Sequence, residues 1–483
     1  MNEASRVAGR RGSGRPSATL LSLVLAGAGI LVAVLPWIGD ADADLEIHLG
    51  LNLLYGLRGV REPPPEVAVV LIDRKTMRDL RLPDALAKWS RSHHAQLLDR
   101  LNEARAVIFD FHFTETRDGS GDLAFARAIE KAGNVILLQH RYPTACREIV
   151  DPRGSVALCQ QEISKKPLPL FAKPAAMLAP FLVPEGWSRT DQVWLWDPGF
   201  EETLPTMPLA ALLAYNRPYF RSLIKALSTA QPASPEVLEL IDLLRTEHLP
   251  HITMGLRRLL TSHASLAHAV TQAIANGRHL DAGARSALLA LIRAMGGPDT
   301  LQLNHYGPPG TLKTYSYQCV LAGACADAAG DVATGLRGRA VFVGYSSAWT
   351  GEVHDQFQTV YGRSSGVEIS ATAFANLLEQ NALRTLPMVL HLLFIAVWSV
   401  LLAQLVTRVS TRSALPVLAG TASAYLALSY VAFVRLHLWL PLAVPLFIQA
   451  PLAAGARLWQ GYRDERAERA RVQIELSRIE DGL

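Results

Sequence analysis

Cysteine is scarce in this chain: four residues in 483, none in C-x-x-C spacing. That excludes a disulfide scaffold and argues against a structural zinc site. Charge of one sign is scarce as well. The formal net charge is only +4, and no basic stripe with interleaved aromatics appears, so nucleic acid is not an expected partner. The stretch G-P-P-G-T-L-K-T-Y-S-Y, Gly307–Tyr317, lacks the G-x-x-x-x-G-K-[ST] spacing of a phosphate loop. What the chain has in quantity is apolar residues, 50% of the total. Its mean hydropathy of +0.17 fits a membrane protein with a substantial water-soluble part.

Four apolar runs predict four membrane spans. The first is 18–38, following a basic tail, 1–17, that carries Arg6, Arg10, Arg11 and Arg15. Asp40, Asp42 and Asp44 come next. A cleaved signal peptide is the competing reading. The run is longer than a usual signal core, however, and W-I-G-D-A-D-A-D is a poor cleavage site, so an uncleaved anchor is expected. The others are 387–406, 413–434 and 440–456, the last carrying Pro441, Pro445 and Pro451. Basic residues should stay inside. This places the N-terminus inside, 40–386 outside, the Arg408/Arg412 turn inside, and the tail 457–483 inside. The result is a multi-pass protein of the bacterial inner membrane with its large domain in the periplasm.

The external region reads as an α/β domain. V-A-V-V-L-I-D (Val67–Asp73), A-V-I-F-D-F-H-F (Ala106–Phe113), Asn134–Gln139 and Ala340–Gly344 have the continuous apolar, β-branched character of buried strands. Helical patterns at His93–Ala104, Leu123–Ala132, Tyr315–Ala322 and Val367–Leu378 alternate with them. That alternation predicts a mostly parallel sheet with crossover helices. Residues 215–300 are helical throughout and read as an insertion between two halves of the domain. Within it, Ser234 and Pro235 form a helix-start signal.

Several segments together resemble a known family, the CHASE sensors of type two. They are V-V-L-I-D-R-K-T-M-R-D-L (Val69–Leu80), W-S-R-S-H-H-A-Q-L-L-D-R-L (Trp89–Leu101), A-V-I-F-D-F-H-F-T-E (Ala106–Glu115), D-L-A-F-A-R-A-I-E-K-A-G-N-V-I-L (Asp122–Leu137), N-H-Y-G-P-P-G-T (Asn304–Thr311), L-R-G-R-A-V-F-V-G (Leu336–Gly344) and G-V-E-I-S-A-T-A-F-A-N-L-L (Gly366–Leu378). The resemblance implies an extracellular sensing domain with one span before it and three after it. It also implies dimerisation and an output through a cyclase or kinase. No such output domain follows the last span here, so a separate cytoplasmic cyclase or kinase is the expected partner. Val472, Leu476, Ile479 and Leu483 in the tail follow four-three-four spacing, as one side of a short coiled coil would. A solvated amphipathic tail fits the same residues.

Candidate site residues follow from the same layout. Open α/β sheets bind ligands at the carboxyl ends of their strands. Asp73 ends one strand, and Asp110 and His112 alternate on the next, which would put both on one face. Tyr345, Ser346 and Ser347 follow a third strand. Their G-Y-S-S-A has Ala348 where a nucleophile elbow has its last glycine, and His354 comes too soon to be its partner, so an enzyme is not expected. A metal site would need more ligands, and no cofactor is expected. Glu368 and Asn376 read as local caps or pairs. Cys146 and Cys159 flank D-P-R-G-S and would close a small disulfide loop in an oxidising periplasm. Cys319 and Cys325, six positions apart on an expected helix, would face different ways and stay unbridged. Gly307–Tyr317 reads as a rigid re-entry into the sheet domain, with Thr314 or Ser316 capping the helix after it. The reading is a membrane-bound sensor of an unknown periplasmic ligand, acting as a homodimer in the lipid bilayer. The alternative is an envelope assembly protein that uses the external domain for docking.

Overall fold

The computed structural model describes residues 18–38, 45–82, 88–143, 149–150, 156–157, 162–184, 189–197, 204–231, 234–278, 280–325, 335–347 and 356–480. Contacts divide the chain into two compact units, Val60–Leu383 and a second made of Met1–Gly59 with Arg384–Leu483.

The core of the first unit is a six-stranded sheet. Its strands are β1 (Val67–Ile72), β2 (Ala106–Phe109), β3 (Val135–Leu138), β4 (Met177–Ala179), β5 (Thr314–Ser316) and β6 (Ala340–Tyr345). They lie side by side in the order β5-β1-β6-β2-β3-β4, and every neighbouring pair is parallel. Both faces are covered, which is why β1 to β3 are apolar without alternation. Val67, Val69 and Leu71 pack on one face, and Ala68, Val70 and Ile72 on the other. Burying each such valine, leucine or isoleucine contributes roughly 1.5–3 kcal/mol before chain entropy is counted.

The first face carries the helices Met207–Tyr215 and Gly366–Glu379 together with the expected insertion. The insertion comprises Phe220–Ala230, Pro235–Thr246, Leu249–Ser262, Ala264–Ala275 and Ala282–Gly296. Its apolar faces belong to the same core as the sheet, so it completes the domain rather than hanging from it. The Ser234 hydroxyl accepts from the Val237 N–H at its start, as a cap should. The other face carries Ser92–Arg100 and Gly119–Ala132.

Three local expectations are corrected. The second strand ends at Phe109 rather than Phe113. Tyr315–Ala322 is not one helix: Thr314–Ser316 pairs with Val69–Leu71, and the helix is only Tyr317–Ala322. Cys319 and Cys325 are joined in a disulfide, with Cα atoms 5.0 Å apart. The helix stops at Ala322 and Gly323 takes a left-handed conformation (φ 74°), which turns the chain back so that Cys325 meets Cys319. The Cys146–Cys159 pair lies outside the described residues.

In the second unit, Met388–Arg408 and Thr411–Leu436 are long and apolar enough to cross a membrane. Two of the four expected spans are therefore seen among the described residues. The first helix, Ala18–Ile38, is 21 residues long. The run 440–456 is not one regular helix, because residues 440–442 precede the helix and Val444–Gln449 forms wide π turns. Pro441 and Pro445 account for this, as each lacks an N–H for the regular ladder. Ala450–Glu480 then continues as a helix.

The unit is tied by polar side chains in apolar surroundings. The Gln449 side-chain amide donates to Ser399 Oγ at 2.8 Å, Leu25 O at 3.2 Å and Ile395 O at 3.4 Å. It packs over Gly29, where a β carbon would lie 2.3 Å from Gln449 Nε2.

Gly344 marks the tightest approach in the sheet. A β carbon there would fall 2.4 Å from Val367 Cβ, at the start of the covering helix. Gly344→Ala should therefore cost about 1–3 kcal/mol, the usual range for overpacking a core. Chemical denaturation of the full chain in detergent measures this. An unchanged midpoint would contradict the packing described.

Candidate functional site

At the carboxyl edge of the sheet, β1 and β2 continue toward helices on one face, while the chain after β6 leads to Gly366–Glu379 on the other. β6 lies between β1 and β2. Neighbouring strands whose connections leave in opposite directions open a crevice at their carboxyl ends. Asp73, Asp110, Tyr345, Ser346 and Ser347 all fall on this edge.

Their surroundings assign each a local role. Asp73 Oδ1 accepts from Thr76 N at 2.7 Å and Thr76 Oγ1 at 2.8 Å. It thereby caps the helix Arg74–Leu80. The Ser316 hydroxyl donates to the same oxygen at 3.1 Å, tying the end of β5 to the end of β1. Ser316 thus serves Asp73; although it precedes Tyr317–Ala322, its side chain makes no cap bond to that helix, which corrects the expectation. Ser346 N donates to Ile72 O at 3.0 Å, and Asp110 N to Val343 O at 2.9 Å, so both extend the ladder one step past the strands. Ser347 O accepts from the Gln356 side chain at 2.8 Å. The Tyr345 ring meets Phe111 edge-on, with centroids 5.0 Å apart.

Asp110 and His112 lie past the end of β2, which stops at Phe109, so neither is on the strand. Phe111 and Phe113 are buried with Phe109. His112 packs instead against His140 after β3, at 4.7 Å between ring centroids. Ala348, His354 and Asp355 lie outside the described residues. Among the described residues, no group of three or more His, Cys, Asp or Glu is placed to hold a metal ion.

A buried network beneath the edge holds its loop. Arg91 and His94, both 0% exposed, come from the W-S-R-S-H-H segment, whose polar look gave no sign of burial. Arg91 donates to Asp122 Oδ1 at 2.7 Å and also to Glu115 O. Asp122 Oδ2 accepts from Arg117 N at 2.9 Å. The Arg91 guanidinium also stacks over Phe171 at 4.7 Å. A buried pair of this kind fixes geometry, and losing one partner would strand the other charge. His94 lies among Phe109, Phe111, Phe113, Phe125 and Tyr317, and its Nδ1 is 2.8 Å from the Tyr317 hydroxyl.

The N-H-Y-G-P-P-G segment forms the second centre. Asn304 N donates to Asn376 Oδ1 at 2.8 Å, and Asn304 Nδ2 to Asn381 O at 2.7 Å. Asn376 Nδ2 donates back to Asn304 O at 3.1 Å and to Asn381 Oδ1 at 3.0 Å. The Tyr306 hydroxyl donates to Glu379 at 2.6 Å. At the other end of the same helix, buried Glu368 accepts from Gly310 N at 2.8 Å and closes a capping box with Ser365. Gly310 has φ +84°, so the turn requires glycine there. Glu368 caps locally as expected, but it also reaches Gly310, and Asn376 bonds to Asn304, 72 positions away. Gly307–Tyr317 does lead the chain back into the sheet.

The same segment holds both chain ends of the first unit. Arg61 N donates to Tyr306 O at 2.7 Å, and the Arg61 guanidinium donates to Asn304 O at 3.1 Å and covers the Tyr306 ring at 4.0 Å. Leu383 N donates to Gln302 O at 3.1 Å. Nothing in the sequence linked Arg61 or Leu383 to residues 302–306, because the contacts are remote along the chain.

The CHASE2 domain family model matches residues 28–404. Comparison with curated proteins and with solved structures returned no match.

His94 gives the site a pH dependence. Burial, then the positive charges of Arg117, His93 and Arg91, lower its pKa to about 3. The unfolded chain binds this proton near pH 6.5. Stability from neutral His94 is thus complete above about pH 6.5 and is lost as pH falls toward 3, by about 1.4 kcal/mol per pH unit. The loss at pH 5 is about 2 kcal/mol by the same slope. Denaturation midpoints between pH 7.5 and 5 should show it, and His94→Leu should flatten the slope. A slope unchanged in that variant would contradict the assignment.

Proposed function

We propose, because the chain belongs to the CHASE2 family, that it is a membrane-bound extracytoplasmic sensor that relays a periplasmic signal to a separate cytoplasmic partner. CHASE2 is an extracellular sensor domain, and two helices of membrane-spanning length and character accompany it here. The observation that carries the reading is the topology at the carboxyl end of β6, which lies between two strands whose connections run to the opposite face, an arrangement that favours a ligand crevice there. A small ligand there would meet Asp110, Tyr345, Ser346 and Ser347, with Asp73 holding the neighbouring loop in place. Half-buried hydroxyls and a carboxylate on a rigid sheet suit a polar molecule bound without chemistry, so the protein acts as a receptor rather than an enzyme.

The four apolar runs support a topology with the basic N-terminus inside, residues 40–386 in the periplasm and 457–483 inside, in the inner membrane. In that arrangement the exposed helix 462–479 faces the cytoplasm. Val472, Leu476 and Ile479, each at least half exposed, give it an apolar stripe that suits a second copy in a homodimer. A cyclase or kinase would read the state of that helix. Binding changes the state only through differential affinity for two conformations of the domain.

Pull-down from solubilised membranes tests the output side. The full chain should retain a cytoplasmic partner that a chain truncated after Tyr462 loses; the same partners in both would overturn the relay. On the input side, a ligand found by thermal shift of the full chain should bind at least tenfold more weakly to Ser346→Ala or Asp110→Asn, at unchanged apo stability. Equal affinity in both variants would remove the crevice as the site.

A further inference from the structure

We propose that Glu46 is the joint through which the sensor unit moves the last helix of the membrane unit, an inference that rests on the relay reading above. Glu46 is buried. Its Oε2 accepts from Leu442 N at 2.7 Å and Ala443 N at 2.8 Å, and its Oε1 from Val444 N at 2.9 Å. These N–H groups open the last helix, where no preceding turn supplies carbonyls for them. A carboxylate there also meets the positive end of the helix dipole. The grip therefore acts on the backbone of the helix start rather than on any one side chain.

Both sides of the joint are stiff. From Glu46 the chain is helical through Leu51 in π turns and through Arg58 in an α-helix. Gly59 is the last residue before the sensor unit begins at Val60. On the other side, helical backbone runs from Val444 to Glu480, ending in the exposed segment 462–479. A short lever leaving the sensor unit thus holds by its far end the start of the helix that becomes the tail. The lever leans on a neighbour: Tyr55 meets Phe433 edge-on at 5.2 Å, and the Arg58 guanidinium lies 5.1 Å from the same ring. Gly50 makes the close passage. A β carbon there would lie 2.7 Å from Glu46 Oε2 and 3.4 Å from Leu442 Cβ.

Hydrogen exchange of the full chain in lipid nanodiscs, followed by mass spectrometry, tests the joint without touching Gly50. The amides of Leu442–Val444 should be protected. Glu46→Ala should speed their exchange at least tenfold. Glu46→Gln, which keeps one acceptor oxygen but no charge, should fall between. Tyr306→Phe, a change confined to the sensor unit, should shift exchange at Leu442–Val444 at least threefold while residues 60–383 stay protected. Unchanged exchange in the Glu46 variants would remove the grip, and unchanged exchange in Tyr306→Phe would remove its coupling to the sensor. Neither reading needs a ligand or a cytoplasmic partner, so failure here is distinct from failure of the sensor function itself.

Discussion

Three buried asparagines set the architecture of the sensor unit. Asn304, Asn376 and Asn381 are each at most 5% exposed and satisfy one another and the local backbone. An unmade bond in such a place costs the full desolvation of the group, so the set is held as a whole or not at all. It binds the segment 302–306 to the end of the covering helix Gly366–Glu379. Glu368 binds the same stretch of chain to the start of that helix through Gly310. The covering helix in turn packs against β6 at Gly344. The backbone leaving the unit, the backbone entering it and the strand that ends in the Tyr345–Ser347 edge are therefore fixed to one helix.

This connection gives the family's output problem a physical form. A molecule bound where proposed would touch the ends of β1, β6 and β2. The loop beyond β2 is clamped by Arg91 and Asp122 and backed by the ring cluster around His94, so little of the edge can yield locally. Close-packed cores respond by switching between arrangements rather than by deforming smoothly. The helix Gly366–Glu379 is the element that a displaced β6 would push first. In the second unit the polar devices are of the same kind: Gln449 on the backbones of two other helices, and Glu46 on a helix start. Each is a side chain bonded to backbone, which transmits position with little slack.

Much of the fold was legible in the sequence. β1, β2, β3 and β6 are runs dominated by Val, Ile, Leu, Ala and Phe, which a parallel sheet covered on both faces demands. Thr314–Ser316 and Met177–Ala179 carry no such signature; they are strands because their neighbours pair with them, which is a tertiary fact. Cys319–Cys325 was misread by extending a helix through Gly323. Asp110 and His112 were misread by extending a strand past Phe109. The break in the run 440–456 was visible in Pro441 and Pro445, but its partner was not. Glu46 lies 396 positions from Leu442 and looks like any acid beside a span. Arg91 and His94 look like surface residues until Asp122 and the phenylalanines close over them. The candidate site was proposed as a place, the carboxyl edge, because the fold class points there. The roles of Asp73 and Ser316 within it depend on side-chain geometry that no local pattern encodes.

The central claim is that one asparagine hub holds the entry and exit segments of the sensor unit together. Hydrogen exchange at the Arg61 and Leu383 amides, in the full chain in nanodiscs, tests it most directly when Asn376 is changed to Ala. The two amides bond to Tyr306 O and Gln302 O at either end of the hub. Their protection should fall together, while the β1 amides stay protected. Protection lost at one amide alone, or kept at both, would contradict the account.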